Sequence, residues 1–293
     1  MQISDEDLIA ELKRRFGEQR KMLESLNDLT QKLTTVNEKL LESEQLKTDF
    51  LSNIRNEINN PLTAILGICE TILMEKTMDL DTLQEMIKMV HMEAFNLDFQ
   101  LRTIFAAAEI EAGEARLHIV KVQIEEMIHR IVDSFENLAE SNALQFDMDI
   151  QLKNKDGEPV DFLTDAEKIH LVISNLISNA IEYGSDGDRI NLKAWIENEV
   201  LYVTVQDFGI GIDHRDQKRI FDRFVQLDTG LTKKHKGHGL GLSVTRAAIE
   251  MLQGSISVRS EKGQGSIFSI SVPGAHEFSE VEIYAPDGNE ELF

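Results

Sequence analysis

Apolar residues recur in alternating steps of three and four from the start of this chain, through Leu8, Leu12, Arg15, Gln19, Met22, Leu26, Leu29, Leu33, Val36 and Leu40. Arg15 and Gln19 interrupt the seam, while the stretch from Met22 to Leu40 is clean. So narrow a heptad stripe needs a partner helix and predicts a parallel dimeric coiled coil; one amphipathic helix packed on its own domain is the alternative. A second apolar series follows at Phe50, Ile54, Ile58, Pro61, Ile65, Ile68 and Ile72, and a third at Leu80, Leu83, Ile87, Val90, Ala94, Leu97, Leu101 and Ile104. The short polar link from Glu75 to Asp79 makes these antiparallel neighbours. One such hairpin cannot cover both of its apolar faces, but two copies make a four-helix bundle.

After Gly113 the period changes. Leu117 to Val120 reads as a strand and Val122 to Ala139 as a helix, and Phe146, Met148 and Ile150 alternate as a strand does. Thr164-Asp165-Ala166-Glu167 has the form of a capping box opening a helix that runs to about Tyr183. Ile190 to Ile196 and Leu201 to Val205 alternate on either side of a turn at Glu197 to Glu199. Strands around Ile256–Val258 and Phe268–Val272 complete a sheet that one layer of helices can cover. The predicted fold is multidomain, α and α+β: a coiled coil, an antiparallel helical hairpin and an α/β sandwich.

Composition agrees with that division. Residues 1–150 hold three of the 17 glycines and one of the four prolines, so turns concentrate in the second half. Against 30 Lys+Arg stand 52 Asp+Glu, a formal charge of −22, which repels phosphodiester backbones and anionic lipid and sets aside a nucleic-acid or membrane-surface role. The single cysteine, Cys69, excludes an internal disulfide. With no apolar run long enough for a bilayer and no leader-like start, the chain reads as cytoplasmic.

Four segments carry candidate chemistry. Asn175 and Asn179 lie four apart on one helix face and offer neutral oxygens to a hard cation. Asp207-Phe208-Gly209-Ile210-Gly211 follows a strand, where glycines let a ligand approach the backbone and a carboxylate can accept from an exocyclic amine. Gly237-His238-Gly239-Leu240-Gly241 opens an apolar helix and suits phosphate; it is neither a P-loop nor a dinucleotide fingerprint. Lys233-Lys234-His235-Lys236 precedes it, a local basic run in an acidic chain. Taken singly, each also reads as capping asparagines, an ordinary turn or a solvated loop.

In order and spacing, together with Ile220-Phe221-Asp222-Arg223-Phe224, these segments resemble the N box, the two glycine boxes and the F box of the GHKL ATP-binding fold, as found in two-component sensor histidine kinases. The resemblance spans roughly residues 45 to 273. It implies that Asp207 contacts adenine, that Asn175 and Asn179 serve Mg2+ and the phosphates, and that Tyr183, Gly209, Gly211, Phe221, Lys233, Lys234, Gly237, Gly239, Leu240 and Gly241 line the nucleotide. It also implies four parts: a coiled coil over 1–45, a dimerising phosphoacceptor-like hairpin over 46–113, the ATP-binding domain over 114–273 and an acidic tail over 274–293. The tail reads as disordered, with Val281–Tyr284 as an edge-strand alternative. Related ATPases that hydrolyse ATP carry a glutamate base where this chain has Asn175, which cannot take a proton, so steady hydrolysis is disfavoured.

The hairpin departs from the family at one position. Asp49-Phe50-Leu51-Ser52-Asn53-Ile54 and Pro61-Leu62-Thr63-Ala64-Ile65 resemble the flanks of the H box, but the residue at the acceptor position is Asn56. Its carboxamide nitrogen has its lone pair delocalised into the carbonyl and is no nucleophile towards a γ-phosphate. Autophosphorylation at the usual site is therefore not expected. Glu57 matches the acidic residue that assists phosphotransfer, and Asn60 the residue that orients water when family members dephosphorylate a response regulator. The resemblance implies a homodimer that binds Mg·ATP and engages a receiver domain. Open alternatives are a pseudokinase or regulator phosphatase, an ATP-gated scaffold, a heterodimer with a competent kinase, an engineered acceptor-blocked kinase, and phosphate acceptance at His91. A Glu182 where the family often has lysine weakens the expected attraction for phosphate.

Overall fold

The computed structural model describes residues 5–75, 77–152, 160–184, 189–225, 227, 239–275 and 282–283; side chains are described for residue 15 onward, with gaps up to residue 57. Two compact bodies are present, Met1–Asn53 and Ile54–Phe293. Helix α1 runs Asp5–Met74 and α2 Leu80–Ala112. The link between α1 and α2 falls where Glu75 to Asp79 predicts it. Asp79 caps α2 by accepting from the Thr82 amide at 2.8 Å, and Gly113 ends it in the left-handed region at φ 69°, where glycine carries no Cβ penalty.

The second body holds β1 (Ile119–Gln123), α3 (Ile124–Ser141), β2 (Gln145–Gln151), β3 (Asp161–Asp165), α4 (Ala166–Tyr183), β4 (Arg189–Glu197), β5 (Val200–Asp207), α5 (Gly241–Met251), β6 (Ser255–Ser260), β7 (Ser266–Pro273) and β8 (Glu282–Ile283). Strands β2-β4-β5-β7-β6 form one sheet, antiparallel except for β2 beside β4. The β4–β5 turn uses positive φ at Asn198 and Glu199, as a two-residue hairpin of right-handed twist requires. Along β5, Leu201, Val203, Val205 and Asp207 are buried and the residues between are half-exposed, so helices cover one face. Ile128, Ile131 and Phe135 of α3 join Ile169, Ile173, Leu176 and Ile177 of α4 and Ile249 of α5 in that core.

Three readings are corrected. The strand after Gly113 begins two residues later and runs to Gln123. The capping residue of α4 is Asp165 rather than Thr164: its Oδ1 accepts from the Lys168 amide at 3.0 Å, while Thr164 belongs to β3. A second, three-stranded sheet, β3-β1-β8, brings residues 282–283 of the tail alongside Val120 and Lys121. The α2 seam also has two sides. Leu80 and Ile87 are exposed, whereas Phe95 and Phe99 meet Phe135 of α3 edge-on, with ring centroids 5.0 and 5.6 Å away.

Candidate nucleotide site

The strict alternation of β5 decides where Asp207 points. Three apolar residues two apart fix the buried face, and the next step of two places Asp207 on it, 4% exposed. Its Oδ1 accepts from the amide of Gly209 at 2.9 Å and from that of Ser266 at 3.2 Å, the residue directly opposite on β7. Burial pushes this carboxyl above the usual carboxylate range, and the two amides pull against the rise.

The glycines around it are where a side chain cannot fit. A Cβ on Gly209 would lie 1.6 Å from the Tyr183 carbonyl oxygen, one on Gly211 (φ +63°) 2.0 Å from the Glu261 carbonyl, and one on Gly265 (φ +85°) 2.1 Å from the Asp207 carbonyl. Hydrogen bonds hold the same close approach. Ile210 N–H donates to Tyr183 O at 3.3 Å, Gly263 N–H to Ile210 O at 2.7 Å, and Ile212 N–H to Ser260 Oγ at 2.7 Å. The loop after β5 is thus clasped between the end of α4 and the β6–β7 turn.

On α4, Asn175 is buried and Asn179 half-buried, and the Nδ2 atoms of both are buried without a hydrogen-bond partner among the described residues. Buried amides left in this way are costly, on the order of 1–3 kcal/mol each, and signal a group still to be bound. Gly241 opens α5 against Asn175, where a Cβ would sit 3.3 Å from its Oδ1. Leu240 is the buried N-cap residue of α5 and supplies no side-chain cap, so no side-chain acceptor takes up the first amides of this helix, the kind of helix start that suits an anion. Gly239 (φ +68°) accepts at its carbonyl from Phe224 N–H at 3.0 Å, tying the segment around half-buried Phe221 to the start of α5.

A buried carboxylate, a helix start without a side-chain cap and two carboxamides suit a ligand with an amine donor at one end and an anion with its cation at the other. The residues present fit Mg2+ and a nucleotide: Asn175 and Asn179 would hold the cation end and Asp207 the base. Among the described residues no cluster of three or more His, Cys, Asp and Glu forms a metal site. Lys233, Lys234 and Gly237 lie outside the described residues, as do the side chains of Asn56 and Glu57. Asn60 is exposed on α1 and His91 exposed on α2. Sequence reasoning missed Ser266, whose amide completes the carboxylate clasp, and Thr103, a fully buried threonine on α2. Its only sequence signal is a polar residue four after Phe99 on an apolar helix. A groove of 920 Å3 between α2 and the α3–α4 face, lined by Phe95, Phe105, Lys121 and Arg130 among others, contains none of the glycine-site residues.

Residues 46–113 match the His Kinase A (phospho-acceptor) domain, and residues 164–276 match the histidine kinase-, DNA gyrase B- and HSP90-like ATPase family. The circadian input-output histidine kinase CikA of Synechococcus elongatus is 31% identical over 229 residues, covering 78% of this chain. The chain belongs to the two-component sensor histidine kinases. It carries the helical hairpin and the ATP-binding domain of that family. It spans 30% of the length of the cyanobacterial histidine kinase, and 79% of the sensor histidine kinase YcbM of Bacillus subtilis, to which it is 27% identical over 86% of its own length. Among solved histidine kinases, full-length ShkA in complex with AMPPNP shares the fold, with TM-score 0.54 and 20% identity over 80% of this chain and 46% of that one. No described helix is long and apolar enough to cross a membrane.

Proposed function

We propose that this histidine kinase chain binds Mg·ATP as a dimer and acts on a response-regulator receiver domain without phosphorylating itself at the usual hairpin position. The clasped carboxylate of Asp207, buried among glycines that admit no Cβ, is the observation that carries nucleotide binding. A charge-assisted bond from an exocyclic amine to such a carboxylate contributes roughly 1.5–3 kcal/mol. Asn175, Asn179 and the start of α5 serve the cation and phosphates, and the positive charge of Lys233 and Lys234 with the backbone of Gly237 belongs to the same phosphate end by the family resemblance. The division into 1–45, 46–113, 114–273 and 274–293 belongs to this reading, as does a cytoplasmic setting. Support for a partner helix comes from the heptad seam, where Met22, Leu26, Leu29, Leu33 and Val36 are 57–72% exposed in the single chain.

Asn56 sets the direction of the chemistry. With a carboxamide at the acceptor position and an exposed Asn60 one helical turn on, the hairpin suits orienting water at a receiver phosphate better than taking phosphate from ATP. A scaffold gated by ATP and a heterodimer whose other subunit supplies the histidine use the same site. Incubation with γ-labelled Mg·ATP separates these readings from a kinase. Nucleotide bound with no acid-labile, base-stable label on the protein is the expected result. Label on the protein overturns it and makes His91 the first residue to mutate.

A further inference from the structure

Thr103 is the fully buried polar side chain of α2, and it lies against a residue of the nucleotide site 72 positions away in sequence. Its Oγ1 is 3.0 Å from the carbonyl of Phe99, one turn back, and 3.4 Å from Oδ1 of Asn175 on α4. A hydroxyl has one hydrogen, and the shorter, in-helix carbonyl is the better acceptor. Toward Asn175 the hydroxyl therefore presents a lone pair, while the Asn175 Nδ2, buried and without a partner, has hydrogens to give. A half turn of the carboxamide about its Cβ–Cγ bond exchanges the two ends. Nδ2 then donates one of its two hydrogens to Thr103 Oγ1, the Thr103 hydroxyl donates on to Phe99, and Oδ1 takes the buried position that has no hydrogen-bond partner among the described residues.

We infer that Thr103 is a positioning residue for Asn175, reaching in from the hairpin helix to hold the carboxamide with its oxygen turned away from α2 as a neutral ligand for the cation that accompanies the nucleotide. The inference rests on the nucleotide-binding reading above and adds to it a contact from outside the ATP-binding family match, which begins at residue 164. Gly241 brings no side chain of its own against the carboxamide, where a Cβ would stand 3.3 Å from Asn175 Oδ1. Because Thr103 sits on α2 beside Phe95 and Phe99, which pack on Phe135, occupancy of the nucleotide site and seating of α2 become linked. Each then strengthens the other by the same factor.

The test uses the full chain and Thr103→Val, which keeps the shape and removes the hydroxyl, with Thr103→Ser restoring the oxygen. Titration calorimetry compares Mg·ATP with ATP in excess chelator. Thr103→Val weakens Mg·ATP by about tenfold, the effect of leaving one buried amide unpartnered, and changes the metal-free affinity by less than about twofold. Thr103→Ser binds like the parent. In the parent chain, amide hydrogen exchange over residues 99–103 slows when Mg·ATP is added, a measurement that needs no variant. Unchanged Mg·ATP affinity in Thr103→Val, an equal loss with and without metal, or no slowing in α2 of the parent overturns the inference while leaving nucleotide binding intact. A parent chain that binds no nucleotide at all overturns the binding reading itself.

Discussion

The carbonyl of Tyr183, the last residue of α4, accepts the amide of Ile210 and stands 1.6 Å from where a Cβ on Gly209 would be. A helix end and a strand end are thereby fused at a point where only glycine fits, and Asp207 is carried into the core beside them. Gly209→Ala must push the backbone apart there, so it destabilises the chain by at least about 1–3 kcal/mol and abolishes nucleotide binding. Gly263→Ala, with φ +81° but open space around the added methyl, costs about 1 kcal/mol of backbone strain and keeps binding. Chemical denaturation of the two variants checks the ranking, and equal losses would contradict the close-approach argument.

Asp207→Asn separates the carboxylate's two effects. The Asn oxygen still accepts from Gly209 and Ser266, but no charge is buried. Burial raises the folded carboxyl above its ordinary 3.8, so on raising the pH the unfolded chain loses this proton first and stability falls through the interval up to the folded value. The variant is therefore more stable than the parent at neutral pH. Its advantage shrinks as pH drops towards 3.8, and it binds ATP roughly tenfold or more weakly through loss of the charged acceptor. Melting curves between pH 3 and 7 read the first effect, calorimetry the second.

Asp165 is a structural counterpart, also buried but fully engaged. Its Oδ1 accepts from the Lys168 amide at 3.0 Å, its Oδ2 from the His118 amide at 2.8 Å, and Lys168 Nζ is 3.6 Å away. Asp165→Ala uncaps α4 and leaves the Lys168 and His118 amides without their acceptor, a loss of roughly 1–3 kcal/mol by urea unfolding. A change below about 0.5 kcal/mol would show that the cap is dispensable.

Restoring the nucleophile asks whether the rest of the machinery works. Asn56→His acquires acid-labile label from γ-labelled Mg·ATP that the parent lacks. An unlabelled variant that still binds ATP would place the defect elsewhere than the acceptor position.

Asn60→Ala removes the carboxamide proposed to orient water and is expected to eliminate any acceleration of phospho-receiver dephosphorylation, leaving nucleotide affinity unchanged. Phosphate loss at the parent's rate would sink the phosphatase reading. The assay follows the decay of a pre-phosphorylated receiver with and without the chain.

Much of the molecule is legible in one dimension because its elements obey short periods. The three-and-four spacing of Leu80 to Ile104 and the alternation of Ile190 to Val205 set helices and strands, and alternation alone turns Asp207 inward, since side chains along a strand point to opposite faces in strict succession. Residue chemistry at Asn56 is likewise readable without coordinates. What only the tertiary structure decides are the meetings of residues far apart in the chain. These are Ser266 on Asp207 across β7, Gly265 under the Asp207 carbonyl, the β3-β1-β8 sheet, and Thr103 over Asn175. No local period encodes them. They follow from which faces the packed helices and paired strands bring together, and an isolated threonine on an apolar helix looks the same whether it faces water or a buried carboxamide.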